Sequence, residues 1–149
     1  MGSLGGKIKR IPDRPAPFQK GTPMSDKTIA DKMFLKNAKS MLVINGKAHP
    51  ALVHQLPAEL IKEDATAVDV VLLLALNQKD LDQYLPEALA RMGEKGALWI
   101  AYLKQSASKA TDIHRDSIDA YAQQHGATVV AIISVDLDWS ALRLKRMTA

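Results

Sequence analysis

A single α/β domain, built in three layers around a mostly parallel sheet that ends in an antiparallel hairpin, is the fold this sequence predicts. Three observations predict it. Strand-sized apolar runs alternate with segments of helical period over residues 40–126, the order that gives a parallel sheet with helices on both faces. The run at residues 68–75 is apolar almost throughout, as a strand covered on both faces is. The last two strands, residues 128–135 and 139–145, are joined only by Asp136, Leu137 and Asp138. So short a link makes an antiparallel hairpin and excludes a parallel crossover.

The elements follow in chain order. Residues 1–23 carry Pro12, Pro15, Pro17 and Pro23 among glycines and basic residues, without an apolar period. That composition buries too little surface to offset the entropy of ordering it. It reads as a disordered tail, with the domain proper at residues 24–149. A helix is expected from about Thr28 to Phe34. Residues 40–45 form a short apolar run ending in Asn45-Gly46, a buried first strand followed by a tight turn. Pro50 suits the first turn of a helix reaching about Gln55, and residues 60–62 are a weak second strand. Over residues 78–92, Leu81, Leu85, Ala88, Leu89 and Met92 recur at helical spacing, with Pro86 expected to kink or split the helix. Residues 97–102 are another buried strand. Residues 103–110 are a polar loop, and Thr111 is the expected N-cap of a helix ending at His125 and Gly126. Strands alternating with helices in this way are Rossmann-like, and such sheets bind ligands beyond the carboxyl ends of their strands.

Composition removes several classes of function. Apolar residues at 47% and charged residues at 24% are those of an ordinary globular protein. Without cysteine there is no disulfide, no thiol nucleophile and no thiolate metal site. No apolar run approaches the roughly 20 residues of a membrane span, and the N-terminus lacks the apolar core of a secretory signal. A cytoplasmic protein is expected. Lys7, Lys9, Arg10, Arg14 and Lys20 against Asp13 give the tail the whole net charge of +4, so the domain itself is neutral. Nucleic-acid binding, which needs basic residues on a folded face, is therefore not expected.

No catalytic constellation stands out. There is no P-loop and no nucleophile elbow. The turn after the first strand holds one glycine, Gly46, where dinucleotide and S-adenosylmethionine sites carry two or three. Glu63 and Asp64 stand where a ribose-binding acid would lie, which is weak support for such a site. His49 and His54 fall on different sides of a helix, and His114 and His125 lie about 16 Å apart along one, so no metal site is expected and the histidines read as surface or helix-end residues. The constellation singled out is Lys104, Ser106, Lys109, Thr111 and Arg115, which leads from the carboxyl end of a buried strand into a helix. Free N–H groups at a helix start, with lysines, an arginine and hydroxyls around them, suit an anion. The plainer reading makes Thr111 a cap and pairs Arg115 with Asp116 or Asp119. Trp139 and Arg143, four apart in the last strand, share a face and are a secondary candidate for a cation–π stack.

Residues 97–102 (ALWIAY), the pattern from Lys104 to Asp116 and the ending from Asp138 to Leu144 (DWSALRL) together resemble the bacterial domain of unknown function family 3052. The resemblance extends over roughly residues 27–146 and departs from the family at Lys47, Ala48, His49 and Pro50. It implies a small Rossmann-like fold similar to a trimmed methyltransferase domain, with no assigned activity, no cofactor and no catalytic residue. The expected function is binding of an anionic small molecule or a protein partner at residues 104–116, without catalysis. The alternatives are a degenerate methyltransferase-like enzyme using S-adenosylmethionine, and a protein-interaction module.

Overall fold

The computed structural model describes residues 28–62, 66–104 and 112–147. Their strands β1 (Met41–Ile44), β2 (Val68–Leu74), β3 (Met92–Leu103), β4 (Ala127–Ser134) and β5 (Trp139–Arg146) form one sheet in the order β1-β2-β3-β5-β4. β1, β2 and β3 are parallel, with Met41 beside Val70 and Leu72 beside Trp99. β5 turns back and inserts between β3 and β4, antiparallel to both. The hairpin is as expected, with β4 at the edge of the sheet.

Helices α1 (Ile29–Lys32) and α2 (Pro50–Val53) are short, whereas α3 (Gln78–Arg91) and α4 (Arg115–Gln124) are full helices. Because side chains alternate along a strand, the sheet has two apolar faces. On one, Leu81, Leu85 and Ala88 of α3 and Ile118 and Ala122 of α4 pack on Val71, Leu73, Leu98, Ile100 and Leu142. On the other, Ile29, Met33, Leu35, Leu52 and Leu56 pack on Met41, Leu72, Leu74, Trp99 and Ala101. The result is a three-layer Rossmann-like domain.

Local chemistry sets the ends of the elements. Thr28 and Asp31 form a reciprocal capping box for α1. Asn77 caps α3 by accepting from the Asp80 N–H at 2.9 Å. The Arg146 guanidinium donates to the Leu89 and Met92 carbonyls, satisfying acceptors left free where α3 ends. Gly126, at φ +87°, lets the chain leave α4 as the sequence foretells.

Four expectations need correction. Pro86 does not split its helix: α3 is continuous from Gln78 to Arg91. One lost hydrogen bond is outweighed by the buried face of Leu81, Leu85, Ala88 and Leu89. The strand at residues 60–62 shrinks to a single bridge, Ile61 beside Met41, since Leu60 is taken into the 3-10 turn Ala58–Leu60. β3 begins at Met92, five residues before the apolar run. Its opening passes through a register shift in which Val68 faces Met92 but Val70 faces Ala97. Gly96 permits this, because a Cβ there would stand 2.8 Å from Met92 Cγ and 2.9 Å from the Val68 carbonyl oxygen. Finally, α4 starts at Arg115 with His114 as its N-cap in place of Thr111. The Asp112 carboxylate, just before this helix, accepts from the Gln78 N–H at the start of α3.

Candidate functional site

The rim formed by the carboxyl ends of β1, β2 and β3 is where this architecture places ligands. The chain leaves β1, reaches Ile61 on its outer side, and returns to β2 on its inner side. The order therefore reverses at β1, and the switch-point crevice opens between the carboxyl ends of β1 and β2. Polar groups of the protein itself bridge that crevice. The Asn45 amide donates to the Leu74 carbonyl at 2.8 Å and to Asp80 Oδ2 at 3.4 Å, and the same carboxylate oxygen accepts from the Leu76 N–H at 2.9 Å. Asn45 adopts the left-handed conformation, φ 62°, to make this turn. Gly46 follows it because a Cβ would crowd the Val43 and Val53 side chains at 3.1 and 3.2 Å. Its lack of a side chain serves packing of the turn.

Further along the rim lie two of the predicted anion-site residues, Lys104 and Arg115. Lys104 follows directly on β3, and its ammonium donates to Ser134 Oγ at 2.9 Å and to the Asp136 carbonyl at 2.7 Å, holding the hairpin. Arg115 is exposed on the first turn of α4 and makes no ion pair with Asp116 or Asp119 among the described residues. The Asp119 carboxylate accepts instead from the Val129 N–H. Arg115 acts on Tyr102 near the end of β3. Burial pushes the Tyr102 hydroxyl above its usual pKa, while the Arg115 charge and a hydrogen bond with Ser140 counter this and Asp116 adds to it. Lys104 and Arg115 thus attend the same strand end, although the free helix N–H groups expected there are partly consumed. The Ser117 N–H donates to His114 Nδ1 at 3.4 Å, and Ser117 Oγ accepts from the His114 N–H at 2.9 Å. Ser106, Lys109 and Thr111 lie outside the described residues, as do Glu63 and Asp64.

Sequence reasoning missed a tight polar contact of the rim. His49 Nε2 and Asp136 Oδ2 lie 2.7 Å apart, the imidazole only 16% exposed and tilted against Trp139 at 4.9 Å between ring centroids. Asp136 Oδ1 accepts from the Asp138 and Trp139 N–H groups at 2.9 and 2.8 Å. Burial opposes the Asp136 charge, but the hydrogen bonds from His49 and these two N–H groups outweigh it and hold the carboxyl below its usual pKa. Such a contact fixes the imidazole's orientation, as carboxylates do for histidine bases. Here it also ties the β1–α2 loop to the hairpin. The two residues are 87 apart, so no spacing rule could join them. Only the topology, which sends the first strand turn and the hairpin turn to one rim, does so.

Trp139 and Arg143 do share a face, but they do not stack. Four residues of strand separate them by about 13 Å. Trp139 meets His49 instead, while the Arg143 guanidinium lies 5.5 Å from the centroid of the Phe34 ring, at the other end of the sheet.

Solved structures with the same fold include several methyltransferases. The mitomycin 7-O-methyltransferase MmcR matches at a TM-score of 0.56 and 11% identity, over 75% of this chain and 50% of its own. The ribosomal protein L11 methylase from Lactobacillus delbrueckii subsp. bulgaricus matches at 0.53 and 9%, over 78% and 74%. The N,N-8-amino-8-demethyl-D-riboflavin dimethyltransferase RosA from Streptomyces davawensis matches at 0.55 and 14%, over 80% and 54%. The chain thus spans about half the length of two of these three, and at such identities the likeness is one of fold. No curated protein matches. One family model covers residues 45–148, from the turn after β1 through the end of the hairpin, and with that span the chain belongs to the family described as protein of unknown function DUF3052.

Proposed function

We propose that this domain is a binding module on a methyltransferase-like scaffold, taking an anionic small molecule at residues 104–116 on the carboxyl rim. The observation that carries the reading is the placement of Lys104 and Arg115 at the end of β3. One is fixed by Ser134 and Asp136, and the other is exposed and without an ion pair among the described residues. The buried Tyr102 and Ser140 lie beside them as further polar groups. No proton-transfer or nucleophilic step is assigned to the site.

Phosphate and sulfate titrated into the protein, followed through the amide signals of Asp112 to Ser117, test this reading. Saturable shifts are expected, weakened in Arg115→Ala by the loss of a charge-assisted bond, about 1.5–3 kcal/mol. Unchanged amide signals would reduce Lys104 and Arg115 to ordinary surface charges.

A second reading, a degenerate methyltransferase using S-adenosylmethionine, is favoured by the fold shared with the enzymes above. Against it stands the crevice at β1 and β2, where Asn45 and Asp80 are spent on each other and on backbone groups. Calorimetry with S-adenosylmethionine separates the two: micromolar or tighter binding supports the enzyme. A protein partner is favoured by the exposed apolar residues of the hairpin, Val130 and Ile132 on an edge strand able to pair further and Leu137 in the turn after it. Substituting Ile132→Lys should then abolish any self- or partner association without changing the titrations.

A further inference from the structure

The opposite end of the sheet, where β2 and β3 begin, holds a cavity of about 280 Å³ walled by Met33, Phe34, Val70, Ala97, Lys95 and Arg143. Three observations there point to a ligand. First, two buried N–H groups, Trp99 Nε1 and Arg143 Nε, have no hydrogen-bond partner among the described residues. Trp99 and Arg143 are directly opposed across β3 and β5, so their side chains share the face that the cavity lies on. Buried donors are almost always satisfied; Arg143 lines the cavity, with Trp99 in the core beside it, so the Arg143 donor calls for an acceptor there.

Second, Phe34 is 65% exposed and takes φ 59°, an outlying conformation for a bulky side chain. It nevertheless places its ring over the Arg143 guanidinium, giving the cavity an aromatic wall beside a cation. Strain of this kind concentrates at functional positions. Third, the charges do not cancel. Asp69 is the acid of the lining, and its Oδ2 already accepts from the Lys39 N–H at 2.8 Å. Against it stand Lys95 and Arg143, neither in an ion pair among the described residues.

We propose that this cavity binds a small organic carboxylate. Its oxygens accept from Arg143 and Lys95, and its apolar body rests on Met33, Phe34 and Val70. The volume sits near the lower end of ligand cavities, which begin at roughly 300 Å³, so the ligand is compact. The fork of a guanidinium matches a carboxylate in particular. This site is independent of the rim reading, since it lies at the other end of the strands and shares no residue with it.

The two tryptophans, Trp99 and Trp139, give two indole N–H resonances that report the two ends of the sheet separately. Benzoate and hexanoate titrated into the full chain should shift the Trp99 signal saturably and leave that of Trp139 in place. Arg143→Gln should weaken binding by about ten- to a hundredfold, the equivalent of one charge-assisted hydrogen bond. Lys95→Glu, an exposed substitution that leaves the core untouched, should weaken it by at least about tenfold, so the proposal stays testable if Arg143→Gln does not fold. No saturable Trp99 shift with either acid would overturn the proposal. So would a shift of equal size from hexylamine, or one that survives Lys95→Glu unchanged.

Discussion

The two ends of the sheet are finished in opposite ways. At the carboxyl rim Asn45, Asp80, Lys104, His49 and Asp136 hold one another and the local backbone in short hydrogen bonds. Toward the amino end Arg143, which lines an open cavity, and Trp99, in the core beside it, keep buried donors without partners among the described residues. In a fold that ordinarily binds at its carboxyl rim, much of the polar capacity has been turned inward at the place where a cofactor would sit. Unspent capacity marks the other end. The fold therefore points to one end, and the polar accounting of this chain to both.

The most direct way to break the comparison is to release the rim. Asp136→Ala removes the partner of His49 and the acceptor of two backbone N–H groups. A loss of about 2–3 kcal/mol in urea unfolding is expected, allowing for the partial exposure of the carboxylate. The pH dependence has a definite sign. The folded-state pKa of Asp136 is depressed, so its contribution is present above the ordinary carboxylate range, near 4. It is lost as pH falls through the lower folded value. The gap between wild type and Asp136→Ala should accordingly close on acidification. A gap that widens in acid would mean that the pair does not hold the hairpin.

A smaller effect is expected at the crevice. Asn45→Ala removes two amide hydrogen bonds and places a Cβ-bearing apolar residue in a left-handed turn, at a cost of about 1–2 kcal/mol. Asn45→Gly keeps the conformation and loses only the bonds, so the difference between the two measures the turn alone. If Asn45→Gly also gains affinity for S-adenosylmethionine, the Asn45–Asp80 bridge was closing a usable crevice.

How much of this could be read beforehand follows from the range of each interaction. Strands β2, β4 and β5, helix α3 and the Gly126 stop are written in short windows of periodicity and turn chemistry, and they appear where those windows place them. The start of α4 was misplaced because Asp112 caps its neighbour α3 across a long stretch of sequence. The early start of β3 was hidden because it rests on Gly96 fitting against the Val68 backbone. Within the candidate site, Lys104 and Arg115 were legible from their place after a strand. His49 with Asp136, and Arg143 with Phe34, were not, since each pair meets only once the sheet is assembled.

Residues 1–23 carry the net charge of the chain and are expected to serve neither end of the sheet. A chain beginning at Met24 should melt within a few degrees of the full one, less than about 1 kcal/mol of stability for a domain of this size. Benzoate titrations should also superimpose. A large drop in melting temperature would show that the tail packs on the domain, and weaker benzoate binding would place it beside the Phe34 wall.

The smallest expected effect is the most informative about the amino end. Trp99 is fully buried, and truncating such a side chain to Ala ordinarily costs about 3–5 kcal/mol. Trp99→Phe keeps an aromatic ring on the same face, loses part of the indole's packing, and also removes the N–H that has no partner among the described residues. Leaving a buried donor unsatisfied costs about 1–3 kcal/mol, so its removal offsets the lost contacts. A net change within about 1 kcal/mol is expected in urea unfolding without carboxylate present. With benzoate added, the wild type should gain more stability than the variant if the indole N–H takes part in binding. A cost of several kcal/mol in the absence of any carboxylate would mean that the N–H is already satisfied in the free protein. The contrast between a spent rim and an unspent amino end would then fail.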